Sequence, residues 1–125
     1  MSLQQRGGTV MEIIDSPSTL DKVKGIKTLR RVLMATGQVQ IDNGVFRVTK
    51  WTIEPHDAIP MHVHHFEYVV VPLVNDVMKV RSIDGTEVDA EIRVGESYNR
   101  PAGAEHTVIN PGTDTIVFVE IEKLV

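Results

Sequence analysis

Five histidines occur in this chain, at positions 56, 62, 64, 65 and 106, and their spacing is uneven. In His62-Val63-His64, an extended backbone turns both imidazoles to one side and Val63 to the other. Two rings placed that way can chelate one ion, although a polar strand end would look the same. Glu67 follows three residues after His64. His106 stands far along the chain, inside a segment running from Gly95 to Asn110. There Pro101 and Gly103 frame a tight turn, the proline fixing φ and the glycine free to take φ > 0. Such a turn can aim His106 inward from the start of a strand. The chain has no cysteine, so a tightly held transition metal must take nitrogen and oxygen ligands. Three imidazoles with an optional carboxylate leave positions for water or substrate, a catalytic style of site. His65 should face away from His64 and take a surface or supporting role. His56, in the Pro55-His56-Asp57 turn, belongs to the solvent or to a pocket rim.

The elements that must hold these residues read as strands. Asn43-Gly44 between Val39-Gln40-Ile41 and Val45-Phe46-Arg47-Val48 is a hairpin signal. Val45 to Glu54 forms one long strand stopped at Pro55. Tyr68–Leu73, Val77–Ile83, Thr86–Val94, Val108–Ile109 and Thr115–Glu122 follow, with turn residues in every gap. This recurrence predicts an all-β barrel or sandwich in one domain over residues 31–125. Residues 1–30 are expected to form an N-terminal arm, with a short helix or an extended stretch from Leu20 to Leu33.

Composition narrows the classes further. A net charge of −4 with acids and bases interspersed argues against nucleic acid, and the basic run from Lys22 to Arg31 reads as a solvated face. No apolar run approaches the roughly 18 residues a membrane span needs, and no basic-then-apolar leader opens the chain. The expectation is a cytoplasmic protein without a membrane partner.

Gly95, Pro101, Gly103, His106 and Asn110 fit G-x5-P-x-G-x2-H-x3-N at every fixed position. That is the second cupin motif, and the chain resembles a small single-domain cupin over roughly residues 38–122. The first motif, G-x5-H-x-H-x3-4-E-x6-G, is met by His62 and His64 only. His56 replaces its leading glycine, and Glu67 comes one residue early. Counting back from the Asn75-Asp76 turn puts the acid's place at Tyr68. The resemblance implies a cupin double-stranded β-helix, a jelly-roll-like antiparallel barrel, with a metal in its mouth. It implies His62, His64 and His106 as ligands. The favoured reading has a one-residue adjustment in the loop after His64 bring Glu67 in as the fourth ligand; the alternative is three histidines and extra water. The ion would be one divalent transition metal: Fe, Mn, Ni, Cu or Zn. Cupins commonly pair by sheet packing, so a homodimer is expected.

Arg47 shares a strand face with Thr49, Trp51 and Ile53; it either enters the barrel to clamp a substrate carboxylate or lies in solvent. Tyr98 and Arg100 lead into the Pro101 turn and are candidates for the pocket mouth. In Thr115–Glu122 one face is wholly apolar, and the other alternates Ile116 and Phe118 with Glu120 and Glu122. The mixed face is expected beneath the N-terminal segment or another subunit. Two functions fit: a metal-dependent enzyme on a small organic molecule, dioxygenase- or isomerase-like, or a non-catalytic module that binds a small ligand or metal. A barrel plugged by Met61, Phe66 and Trp51 would leave no room for a substrate.

Overall fold

The computed structural model describes residues 34–125; the expected arm and the Leu20–Leu33 helix lie outside the described residues. Nine strands follow one another: β1 (Thr36–Asp42), β2 (Phe46–Ile53), β3 (Ala58–Val63), β4 (Tyr68–Pro72), β5 (Asp76–Ser82), β6 (Glu87–Ile92), β7 (Tyr98–Arg100), β8 (Glu105–Ile109) and β9 (Ile116–Lys123). They form two antiparallel sheets, one in the order β1-β2-β9-β4-β7 and one in the order β3-β8-β5-β6. The chain is all-β, as its turn spacing predicts. No helix occurs among the described residues, so none is long and apolar enough to cross a membrane.

Alternation along the strands decides which side chains meet between the sheets. On β2, Thr49, Trp51 and Ile53 point inward and are buried; on β4, Tyr68, Val70 and Pro72 do so. Ile53 sits opposite Ile116 in the β2–β9 register, and both have no exposed surface. Burying an isoleucine side chain fully contributes about 1.5–3 kcal/mol. From the facing sheet Ile59, Met78, Ile92 and Val108 complete the core.

On β9 the inward face differs from the sequence-based expectation. Phe118 and Glu120 line the interior, whereas Val117, Val119 and Ile121 occupy the opposite, half-exposed face. Register decides this: Ile116 must oppose Ile53, and every second residue then follows it inward. The mixed face is therefore mixed because it walls a cavity.

Three turns set the ends of these strands. Gly44, at φ 87°, closes the β1–β2 hairpin while the Asn43 side chain accepts from the amides of Val45 and Phe46. His56 stands at φ 69° in a turn closed by the Asp57 amide donating to the Glu54 carbonyl. This left-handed position explains why the first cupin motif carries glycine there. Asn110, fully buried at the end of β8, donates to the carbonyls of Ile53 and Asp114, each at 2.8 Å, and accepts from the Gly112 amide at 3.0 Å.

On β1, Gly37 packs under the Trp51 ring so closely that an added Cβ would lie 2.8 Å from it. Gly37→Ala is expected to push the ring from its place and cost about 1–3 kcal/mol, the range for overfilling a packed core. Urea unfolding of the two proteins checks this; an unchanged midpoint would show that the ring has room to yield.

Candidate metal centre

Strands β3 and β8 bring the histidines together. His62 lies opposite His106 in their register, next to an irregularity between Ile59 and His62. His64 falls just past the end of β3. It is fixed by a reciprocal pair: its amide donates to the Ala104 carbonyl at 2.8 Å, and the Gly103 amide donates to its own carbonyl at 2.7 Å. Gly103 takes φ 109°, so the turn that carries the second motif also clamps the first. This is the physical content of the Pro101-x-Gly103 spacing.

The three rings converge through one type of atom. His62 Nε2 lies 2.9 Å from His64 Nε2, which lies 3.1 Å from His106 Nε2. His62 Nδ1 is 2.7 Å from the Pro60 carbonyl, which fixes the proton of the neutral ring on Nδ1 and leaves Nε2 with a free lone pair. One hydrogen between His64 and either neighbour leaves the remaining nitrogens facing each other unsatisfied. A cation at their centre would satisfy all three. The 2.9 and 3.1 Å separations are compatible with bonds of about 2.1 Å from each nitrogen to one shared ion. Among the described residues these three histidines form the one group of side chains placed to hold a metal ion.

Electrostatics keep the triad ready to ligate. Burial, then the neighbouring His62, His106 and His65, push His64 down to about 3. Burial, then His62 and Arg100, push His106 down to about 4. His62 is also lowered, chiefly by burial and against the Pro60 hydrogen bond. All three rings are thus neutral at pH 7, the form that binds a metal.

The other sequence candidates fall in different places. Glu67 is exposed, and its carboxylate accepts from Asn99 Nδ2 at 3.2 Å, outside the histidine group. Tyr68 occupies the position counted for the motif's acid; it is buried and stacks on His64, ring centroids 3.9 Å apart. Since strands alternate, one residue separates an inward side chain from an outward one. Arg47 lies on the inward face of β2 but is engaged by Asp42 at 3.3 Å and Glu122 at 3.4 Å. Tyr98 and Arg100 both border the cavity, the Arg100 guanidinium 5.1 Å above the Tyr98 ring. His65 and His56 are exposed.

Beside the triad lies a cavity of about 310 Å³, walled by apolar side chains that include Ile59, Val70, Met78 and Phe118. Met61 is exposed rather than plugging it, and Trp51 belongs to the core. The cavity is large enough for a small molecule. The residue that sequence reasoning passed over is Glu120, which reaches the same cavity from β9.

No protein-family model matches the sequence. Individual relatives do. A cupin domain from Bordetella pertussis is 39% identical and superposes with a TM-score of 0.71, covering 75% of this chain and 97% of that one. The chain belongs to the cupin superfamily. The β-alanine degradation protein BauB of Pseudomonas aeruginosa is 39% identical over 88 residues, 70% of this cupin and 92% of the relative. An RmlC-like cupin of Methanocaldococcus jannaschii, 10% identical, shares the double-stranded β-helix with a TM-score of 0.60 over 78% of this chain and 86% of its own.

Proposed function

We propose that this cupin is a metal-dependent enzyme acting on a small organic molecule, with His62, His64 and His106 as its ligands and no carboxylate among them. The observation that carries the reading is the convergence of three Nε2 atoms at the wall of an apolar cavity of about 310 Å³. A divalent transition metal held there would supply Lewis acidity and, if redox-active, electron-transfer chemistry. The protein supplies the rest. Apolar side chains such as Ile59, Val70, Met78 and Phe118 line much of the cavity, and Tyr98 and Arg100 flank it where an oxygen or carboxylate of the substrate can be held. Size and lining suit a compact, largely apolar metabolite, and the Pseudomonas relative's association with β-alanine degradation supports a substrate of that scale. Dioxygenase-like and isomerase-like reactions both fit this arrangement.

Glu67→Gln is expected to keep the full metal content, because its carboxylate is exposed and bonded to Asn99. Elemental analysis of the variant checks this; loss of the ion would show that the loop after His64 closes to bring Glu67 in.

The enzymatic reading is tested by following a panel of small carbonyl and amino-acid-derived compounds with metal-loaded protein, in air and without oxygen. Turnover that stops on chelation is the expected result. Coupled oxygen uptake would assign a dioxygenase, and product formation without oxygen an isomerase. Tight ligand binding with no product from any compound would contradict the enzymatic reading and leave a binding module.

A further inference from the structure

A carboxyl group inside an apolar cavity costs free energy, so its presence calls for a role. Glu120 projects from β9 between two hollows, the main cavity and a second one of about 250 Å³ lined in part by Gly37, Val39 and Thr49. His62, His64 and Glu120 are the three polar residues that border both. The carboxyl therefore faces the same enclosed space as the metal-binding nitrogens.

The groups around it are unequal. On its own strand Glu122 lies two residues on, on the same face, and is engaged by Arg47 of β2. Tyr68 of β4, Tyr98 and Arg100 of β7, and His106 of β8 border the main cavity with it. Among the described residues no cation pairs with Glu120. The buried indole N–H of Trp51 on β2 finds no acceptor at ordinary hydrogen-bond geometry, yet lies close enough to pull the acid slightly downward. Burial first, and the charge of Glu122 second, outweigh it and raise Glu120 to about 7. The histidines are not among the causes. A carboxyl in this position keeps its proton below neutrality and gives it up just above.

We propose that Glu120 is the proton-carrying acid of the cavity, donating a proton to the small molecule seated beside the three histidines and recovering it afterwards. In the donating step the carboxyl O–H bond breaks, its electron pair stays on the carboxylate, and a new O–H or C–H bond forms on the bound molecule. In the return step a different C–H or O–H bond of the same molecule breaks, its electron pair stays on the molecule and the proton passes back to the carboxylate, so no other reactant is needed. The role deepens the enzymatic reading above and rests on it for its substrate. The site itself does not depend on a bound ion.

Trp51 is the only tryptophan in the chain, and it makes Glu120 observable. Its fluorescence is expected to titrate with a midpoint near pH 7 in the parent and to lose that transition in Glu120→Gln, with metal content unchanged. Persistence of the transition in the variant, or a midpoint near the ordinary 4.5, would overturn the proposal. Loss of the metal in Glu120→Gln would overturn it too, by making Glu120 a ligand. Should the variant not fold, infrared spectra of the parent decide the matter. One protonated-carboxyl band present at pH 6 and gone at pH 8 is expected, and its absence refutes the role. A parent that binds no metal yet shows the titration would sink the enzymatic reading and leave the acid in place.

Discussion

His106→Ala is expected to fold as the parent does and to lose its metal. The side chain is half-buried at the start of β8, and its Nε2 contributes to the convergent group rather than to the core. Two nitrogens from one short segment remain, and no carboxylate belongs to the three-histidine group. Even a lost supporting hydrogen bond weakens metal sites by about 10–100-fold; removing a ligand should exceed that, by about 100-fold or more. The check is a metal titration of parent and variant, alongside thermal melts with and without the ion. Binding stabilises a folded protein by mass action, so the ion should raise the parent's melting temperature and leave the variant's unmoved. An equal rise in both would remove His106 from the ligand set.

Asn110→Ala should be the most damaging substitution outside the site. Its side chain joins the end of β2, the turn before β9 and Gly112 through three hydrogen bonds, and it has no exposed surface. Alanine leaves two carbonyls and one amide without that partner. Each such group costs about 1–3 kcal/mol when it stays dry, so a loss of about 3 kcal/mol or more is expected in urea unfolding. Against a typical total of about 5–15 kcal/mol this threatens the fold itself. Asn110→Asp should be no rescue, because a carboxylate cannot donate to the carbonyls of Ile53 and Asp114. A loss below about 1 kcal/mol would mean that water replaces the amide.

The closing asparagine of the second motif thus serves the fold, while the histidine four residues before it serves the site. Spacing alone does not separate these roles. What was legible came from fixed gaps: Pro101, Gly103 and His106 had to make a turn followed by a strand, and they do. The pairing of His62 with His64 on one side needed only an extended backbone. Two things escaped. The acid's position turned on one residue, and at the start of β4 the side chain that faces inward is Tyr68, stacked on His64. Glu120 escaped because a wholly apolar face is the natural inward face of a strand. The pairing of Ile116 with Ile53 reverses that for β9. The carboxylates on its other face read as surface until a cavity is known to lie against them.

In the proposed function three neutral histidines, without a carboxylate, hold one transition-metal ion beside the cavity. Elemental analysis of protein purified without chelators, compared with His106→Ala prepared in parallel, tests it most directly. Close to one equivalent of iron, manganese, nickel, copper or zinc in the parent, absent from the variant, is the predicted result. A parent without metal that takes none up from any of these ions, at pH 7 where the rings are neutral, would rule out the three-histidine metal site.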